Sequence, residues 1–268
     1  EALGGDVVRA FYGEHYSPAS TTLLVVGDVT VDEASAVVAD AFGSWSGPAV
    51  SRTGRPNRAV GLTRTVHVVG KADAPQSELR VGHAGVARSH ADYFPIVVMN
   101  AILGGLFSSR INLNLREVHA YTYGAFSSFD WRRDAGPFTV ATAVRSDITD
   151  AAVREILLEI DRMRGAEVTD AELSLATSYL DGVFPIRFET TTAIANALAS
   201  LVAYGLPNDY YDTYRANIRS VSQAEILRVA RAHLHTDRLQ IVAVGDPAVV
   251  RGPLEAIDAG PVLVYDAE

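Results

Sequence analysis

The sequence predicts an α+β fold, with helices and strands interspersed along 268 residues. Three observations predict it. Capping boxes, a Ser or Thr answered three residues later by Glu, open helices at Thr30–Glu33, Thr169–Glu172 and Ser222–Glu225. Two short, nearly continuous apolar runs, Thr21–Val26 and Leu239–Val244, read as buried strands, each followed by Gly-Asp. Alternating segments at Tyr123–Trp131 and Phe138–Val144 flank Asp134-Ala135-Gly136-Pro137, a β-hairpin signal.

In chain order, Val7–Tyr16 is an amphipathic helix with Val7, Val8, Phe11 and Tyr12 on one side. Ser17-Pro18-Ala19-Ser20 turns into the first strand run, the Thr30 box starts a helix to Phe42, and Gly43–Pro48 closes the unit. Ala49–Arg64 is polar, basic and without period, and reads as a linker. Thr65–Val69 and Ser77–His83 are strands, and Gly85–His90 connects them to Ala91–Leu103, a largely apolar helix suited to burial. After the hairpin, Thr149–Met163 is an amphipathic helix. The Thr169 box opens a helical region to about Tyr204, bent near Pro185 because proline lacks the amide donor. Asn208–Ile218 is a helix, the Ser222 box opens another to about His233, Val249–Ile257 is a short one, and Val262–Tyr265 is a last strand.

Composition narrows the function. Hydrophobic content of 48% and charged content of 21% are ordinary for a globular chain. A formal net charge of −9 argues against a nucleic-acid or anionic-membrane surface. No uninterrupted apolar run reaches the roughly 18–20 residues that span a bilayer. With no cysteine, thiolate metal sites and cysteine nucleophiles are excluded, while the compartment stays open between cytosol and periplasm. Glu1-Ala2-Leu3-Gly4-Gly5-Asp6 has neither an initiator Met nor a signal-peptide core, and is expected to be an internal point of a longer chain.

The stretch from Leu103 to Phe126 draws the chemistry together. Gly104-Gly105 opens a short helix that ends in Arg116-Glu117, and Tyr123 follows Arg116 by seven residues where alternation begins. A fixed cation and a phenol therefore meet at a helix–strand junction, with Tyr121 on the same expected strand face as Tyr123.

The end of the chain repeats its beginning. Val8–His15 followed by Leu23–Asp28 matches Ile226–His233 followed by Ile241–Asp246, with Gly27 onto Gly245 and His15 onto His233 at a constant offset of 218. The expected organisation is then residues 1–48 as the C-terminal part of a first repeat, 49–64 as linker, and 65–268 as a complete second repeat.

These residues resemble a family. Phe11-Tyr12-Gly13-Glu14-His15-Tyr16-Ser17-Pro18 with Leu24-Val25-Val26-Gly27-Asp28 is similar to the end of the first domain of the pitrilysin/insulinase-like zinc metallopeptidases, relatives of the mitochondrial processing peptidases. Pro75-Gln76-Ser77-Glu78-Leu79, the Leu103-Gly104-Gly105 break, Ser108-Ser109-Arg110 and Leu115-Arg116-Glu117 are similar to that family's second domain. The resemblance implies repeated α+β domains, each a mostly antiparallel sheet packed by helices, forming a clamshell around a peptide-binding chamber. One copy carries H-x-x-E-H on a helix, where two His bind zinc and the Glu activates water. The facing copy is metal-free and supplies an Arg and a Tyr to the substrate backbone. The match places those two at Arg116 and Tyr123.

The sequence departs from the catalytic pattern, because H-x-x-E-H occurs nowhere in it. Ala91-Asp92-Tyr93-Phe94-Pro95-Ile96-Val97-Val98-Met99, the helix expected to carry it in the second copy, has no ligand pair. No catalytic or metal residue is therefore expected here; zinc is expected in an H-x-x-E-H half on the same polypeptide or a partner, with homo- or hetero-dimers both compatible. Of the seven histidines only His233-Leu234-His235 is a tight pair, and it reads as packing or capping.

A guanidinium and a phenol both donate to the oxygen that gains charge in amide hydrolysis. The structural alternative is an Arg braced by a carboxylate and a Tyr on a half-buried strand. Tyr121 is an equivalent candidate to Tyr123. Gly104 and Gly105 either let the chain pass close to a substrate or cap a helix. The expected function is the substrate-binding, metal-free half of a zinc endopeptidase, inactive alone and holding an extended peptide. The rivals are a non-enzymatic assembly or core subunit of the same fold and a peptide-binding module without hydrolysis; an H-x-x-E-H upstream of Glu1 or in a neighbouring gene favours the peptidase.

Overall fold

The structure is a computed structural model that describes residues 3–47 and 62–266. Most of the linker expected over Ala49–Arg64 lies outside the described residues. The chain begins with α1 (Gly5–His15), a short 3-10 turn (Pro18–Ser20) and α2 (Val31–Phe42). Strands β1 (Thr65–Gly70) and β2 (Gln76–Ala84) lead to α3 (Tyr93–Asn100). A π-helical segment (Ala101–Gly105), the short α4 (Arg110–Asn112) and a second π-helical segment (Leu113–Val118) then precede the hairpin of β3 (Ala125–Phe129) and β4 (Pro137–Arg145). Helices α5 (Thr149–Gly165), α6 (Asp170–Gly182), α7 (Thr191–Tyr204), α8 (Tyr210–Arg219) and α9 (Gln223–His233) follow, and β5 (Gln240–Gly245), α10 (Pro247–Ala256) and β6 (Val262–Tyr265) end the chain.

All three capping boxes are made: Thr30, Thr169 and Ser222 each accept from the backbone N–H of the Glu three residues on, and that Glu accepts in return. The long helical region expected from Thr169 breaks rather than bends. α6 stops at Gly182, Pro185 starts a 3-10 turn to Phe188, and α7 begins anew with Thr190 as its cap. Proline is accommodated in the first turn of a helical segment, where its missing N–H is no loss, and weakens an interior turn.

The chain forms two compact units, Glu1–Pro56 with Phe184–Asn208, and Asn57–Val183 with Asp209–Glu268. The second holds a six-stranded mixed sheet in the order β3-β4-β2-β5-β1-β6. Pairings β3/β4, β4/β2 and β2/β5 are antiparallel; β5/β1 and β1/β6 are parallel. Alternation puts Val66, Val68, Leu79, Val81, Phe138, Val140, Ile241 and Ala243 on the buried face. Against them pack Ile96 and Met99 of α3, Val153, Ile156 and Ile160 of α5, and Ile226 and Val229 of α9, all fully buried or nearly so.

Tyr93–Val118 has the length and mean composition to cross a membrane, yet more than half of its most apolar window is buried, and the chain breaks between Gly105 and Arg110. The hydropathy is that of a core element; no uninterrupted apolar run is needed to produce it.

In the first unit the expected helix forms as α1 and the expected strand does not. Thr21–Val26 forms no strand, and Leu23 and Val25 are 51% and 50% exposed. The apolar side of α1 is likewise open, with Val8, Phe11 and Tyr12 57%, 56% and 52% exposed. A strand and an amphipathic helix need neighbours to cover them. The sequence offset of 218 carries α1 onto α9 end to end, Gly5 onto Gln223 and His15 onto His233. The partners of the exposed positions, Ile226, Val229, Ala230, Ile241 and Ala243, are 0% exposed. There β5 lies between β1 and β2, and α9 packs on α3 and α5.

Candidate functional site

The segment from Gly104 to Gly124 is held at several points by buried polar groups. The first π-helical segment lies against β3: Asn100 Nδ2 donates to Ser127 O at 3.1 Å and Ser127 Oγ donates to Asn100 Oδ1 at 2.8 Å. A Cβ on Gly104 would sit 2.4 Å from Ser127 Oγ and 2.7 Å from Ser127 N, so only glycine allows this approach. Gly104 is buried and faces β3, whereas Gly105 is exposed. Both π-helical segments flank the turn, and such segments recur at functional sites.

Asn112 is fully buried and joins the two sides of the turn. Its Nδ2 donates to Phe107 O at 2.6 Å, and its Oδ1 accepts from the Ala125 N–H at 3.0 Å. The Arg116 guanidinium lies 4.5 Å over the Phe107 ring, a cation–π contact, and 3.5 Å from Glu117 Oε1. Arg110, by contrast, is committed to the fold, with Nε and Nη2 gripping Glu172 at 2.6 and 3.0 Å. That guanidinium, with the Thr169 capping bonds, holds the Glu172 carboxyl down at about 2 despite partial burial.

Two residues past the second π-helical segment, Ala120 has φ 53° in the left-handed region. His119 N–H and Tyr121 N–H return to Asn114 O and Leu115 O and satisfy the helix end. Tyr121 stacks on His119 at 4.8 Å. Neither Tyr121 nor Tyr123 is on a strand, contrary to expectation: β3 begins at Ala125. Thr122 Oγ1 accepts from Gly124 N–H and lies 3.0 Å from Gly124 O, so a side chain takes the backbone groups that a ladder would use. Tyr123 is 94% exposed and has no hydrogen-bond or ring partner among the described residues.

The residues do not fit a zinc ion where the family's motif helix lies. α3 turns Pro95, Ile96, Val98 and Met99 into the core and offers no donor. One group of potential ligands does come together among the described residues: His90, Asp92 and His233, within 4.8 Å. Its carboxylate is already spent, because Arg228 grips both Asp92 oxygens at 2.7 and 3.1 Å and His233 Nε2 lies 2.7 Å from Oδ2. Those contacts, Arg228 first, pull the Asp92 carboxyl far below the usual range. His235 turns away from this group: its backbone N–H donates to His83 Nε2, and burial pushes His83 down to about 4. His233 is thus tied to Asp92, and the His235 backbone to His83.

Sequence reasoning singled out Arg116 and Tyr123 as candidates and missed the residues around them, namely Phe107, Asn112 and the left-handed Ala120. The available signal was the pair of amides, Asn112 and Asn114, set among Ile111, Leu113 and Leu115.

The family described as the peptidase M16 inactive domain matches residues 3–180. An uncharacterized zinc protease of Streptomyces coelicolor is 28% identical over 237 residues, covering 86% of this chain and 51% of its own length. The solved structure of a peptidase M16 inactive domain from Pseudomonas fluorescens superposes with a TM-score of 0.82 at 22% identity, covering 91% of this chain and 58% of that one. A protease from Helicobacter pylori gives 0.81 at 19% identity, covering 91% and 59%. The two structures share the fold, and the chain spans about half the length of the curated relatives it matches.

Proposed function

The chain belongs to the peptidase M16 inactive-domain family, and from that premise we propose that it is the metal-free, substrate-holding half of a zinc endopeptidase. It completes a chamber for an extended peptide opposite a half that carries H-x-x-E-H, on the same polypeptide or on a partner. The observation that carries the reading is the presentation of Arg116 and Tyr123 from one braced turn. The cation rests on Phe107, and a 94% exposed phenol contributes nothing to the core.

The two side chains donate to the peptide. The guanidinium and the phenol O–H bind the scissile carbonyl or its neighbour, and the bonds strengthen as the oxygen gains charge. Tyr121, stacked on His119, is the second phenol within the same turn. Exposed Gly105 gives the peptide backbone a close path, and buried Gly104 holds that path against β3. Zinc and the water it activates belong to the other half.

The same reading makes residues 1–48 the end of a preceding repeat, 49–64 a linker and 65–268 the second repeat. Its support is the offset of 218 from Gly5 to Gln223 and the exposure of side chains whose counterparts are buried. In the complete enzyme, Arg116→Ala is expected to lower kcat/KM about a hundredfold and Tyr123→Phe about tenfold. Zinc content, measured by atomic absorption, stays unchanged. Wild-type rates in both variants would overturn the assignment.

A further inference from the structure

The pairing of β2 with β5 runs from Glu78 opposite Val244 to Gly82 opposite Gln240, and there the ladder ends. One residue further along β2 a side chain continues it. The His83 ring is buried, and its Nε2 accepts the His235 backbone N–H at 3.1 Å, in the connection that leads from α9 to β5. A backbone N–H only donates, so Nε2 carries no proton. The ring proton is therefore on Nδ1, which donates to Ala84 O at 2.9 Å. The neutral imidazole thus uses both of its nitrogens. A second proton would stand on Nε2 against the His235 N–H, donor against donor.

The surroundings oppose that proton as well. His90, His119 and His233 each have a carboxylate oxygen within 4.0 Å, and His83 has none among the described residues. From the α9–β5 connection the His235 ring faces it edge-on at 5.1 Å, with Asp237 and Arg238, of opposite charge, beyond. From β4 comes the apolar ring of Phe138 at 5.2 Å. Arg164 of α5 and His233 of α9 act on His235, which burial already holds below its ordinary value. Burial is also the main reason that His83 is pushed down to about 4. The connection itself carries weight in the sheet. Arg64 N–H donates to Asp237 O at 2.8 Å and Thr65 N–H to Leu239 O at 3.1 Å, so the segment that His83 holds also anchors the start of β1. Thr236 Oγ1 accepts from Arg164 at 3.0 Å and ties the same segment to α5.

We infer that His83 and the His235 backbone N–H form an acid-released latch, which holds the α9–β5 connection to the end of β2 while the imidazole is neutral and frees it when the imidazole takes up a proton. The latch is independent of the peptide-holding turn. In the released connection His83 returns to its ordinary value of 6.5, so the open form binds a proton more tightly and falling pH favours it. The latch is fully effective above about pH 6.5 and weakens as pH falls toward about 4.

Hydrogen exchange at the His235 amide, followed by NMR on this chain, tests the latch. Between about pH 6.5 and about pH 4.5 the protection factor, taken against the intrinsic rate at each pH, is expected to fall at least about tenfold. His83→Gln keeps an acceptor, since the amide oxygen takes the place of Nε2, and removes the titration. In that variant the protection is expected to agree within about twofold at the two pH values. Constant protection in the wild type overturns the latch, and so does a fall that His83→Gln leaves in place. Should the variant fail to fold, a titration of the wild-type histidine rings decides. The His83 ring is expected to stay neutral down to about pH 5 and to take up its proton as the His235 amide loses protection. An ordinary midpoint near 6.5 with the His235 amide still protected overturns the latch.

Discussion

Ala120 stands between the two donors with φ 53°, a conformation that favours glycine. It persists because the backbone bonds of His119 and Tyr121 to the preceding helix end determine it from both sides. Replacing it by glycine removes the steric cost. Ala120→Gly is expected to stabilise the chain by about 0.5–1 kcal/mol, a rise in Tm of about 2 °C in a thermal melt. A lowered Tm would mean that the alanine is not strained. Arg116 and Tyr123 could be singled out as candidates in the sequence because a spacing of seven across a helix end is a local property. The strain at Ala120 was not, since alanine gives no sign of a left-handed backbone. The clamp by Asn112 was half legible: the amide was visible in an apolar stretch, but its partners Phe107 and Ala125 depend on how the turn folds.

Two contacts between elements hold the turn in place. The first is the packing of the π-helical segment Ala101–Gly105 on β3. Gly104→Ala would drive a methyl to within 2.7 Å of the Ser127 backbone nitrogen, and the segment must move. A loss of about 2–3 kcal/mol is expected in urea denaturation. Ser127→Ala recovers only part of it, because the hydroxyl is relieved and the backbone is not; full rescue would show that the clash is with Oγ alone. The second contact is the bidentate tie from Arg110 of α4 to Glu172 of α6. The Glu172 carboxyl ionises at about 2 when folded, against 4.5 ordinarily. A depressed carboxyl stabilises the fold above its unfolded value and ceases to do so as pH falls. The tie is therefore fully effective above about pH 4.5 and lost between there and about pH 2. Glu172→Gln is expected to lower stability at pH 7 and to flatten the acid limb of a Tm-against-pH profile. An unchanged limb would show that other carboxyls carry it. Capping boxes, turns and strand alternation were readable because each is a pattern within one element. The strand at Thr21–Val26 was misread for the converse reason: its β5 counterpart is a strand through its neighbours β1 and β2, and no pattern within six residues can supply those.

At the scale of the molecule, the two units differ in how far they cover their own apolar residues. In Asn57–Val183 with Asp209–Glu268, the counterparts of Val8, Phe11, Leu23 and Val25 are sealed under sheet and helices. In the other unit those side chains stay half exposed, a surface of the kind that marks an interaction. Fold and family resemblance were legible in the sequence, since each rests on the order of elements. The proposed function includes a second body that brings both cover and zinc. The most direct measurement is peptide hydrolysis by the H-x-x-E-H-bearing half, with this chain absent, present, and present as Arg116→Ala with Tyr123→Phe. The account predicts no hydrolysis by this chain alone, strong and chelator-sensitive hydrolysis by the wild-type mixture, and a fall of at least about a hundredfold with the double variant. Hydrolysis by this chain alone that chelators leave untouched, or a zinc-bearing half equally active without it, would contradict the account.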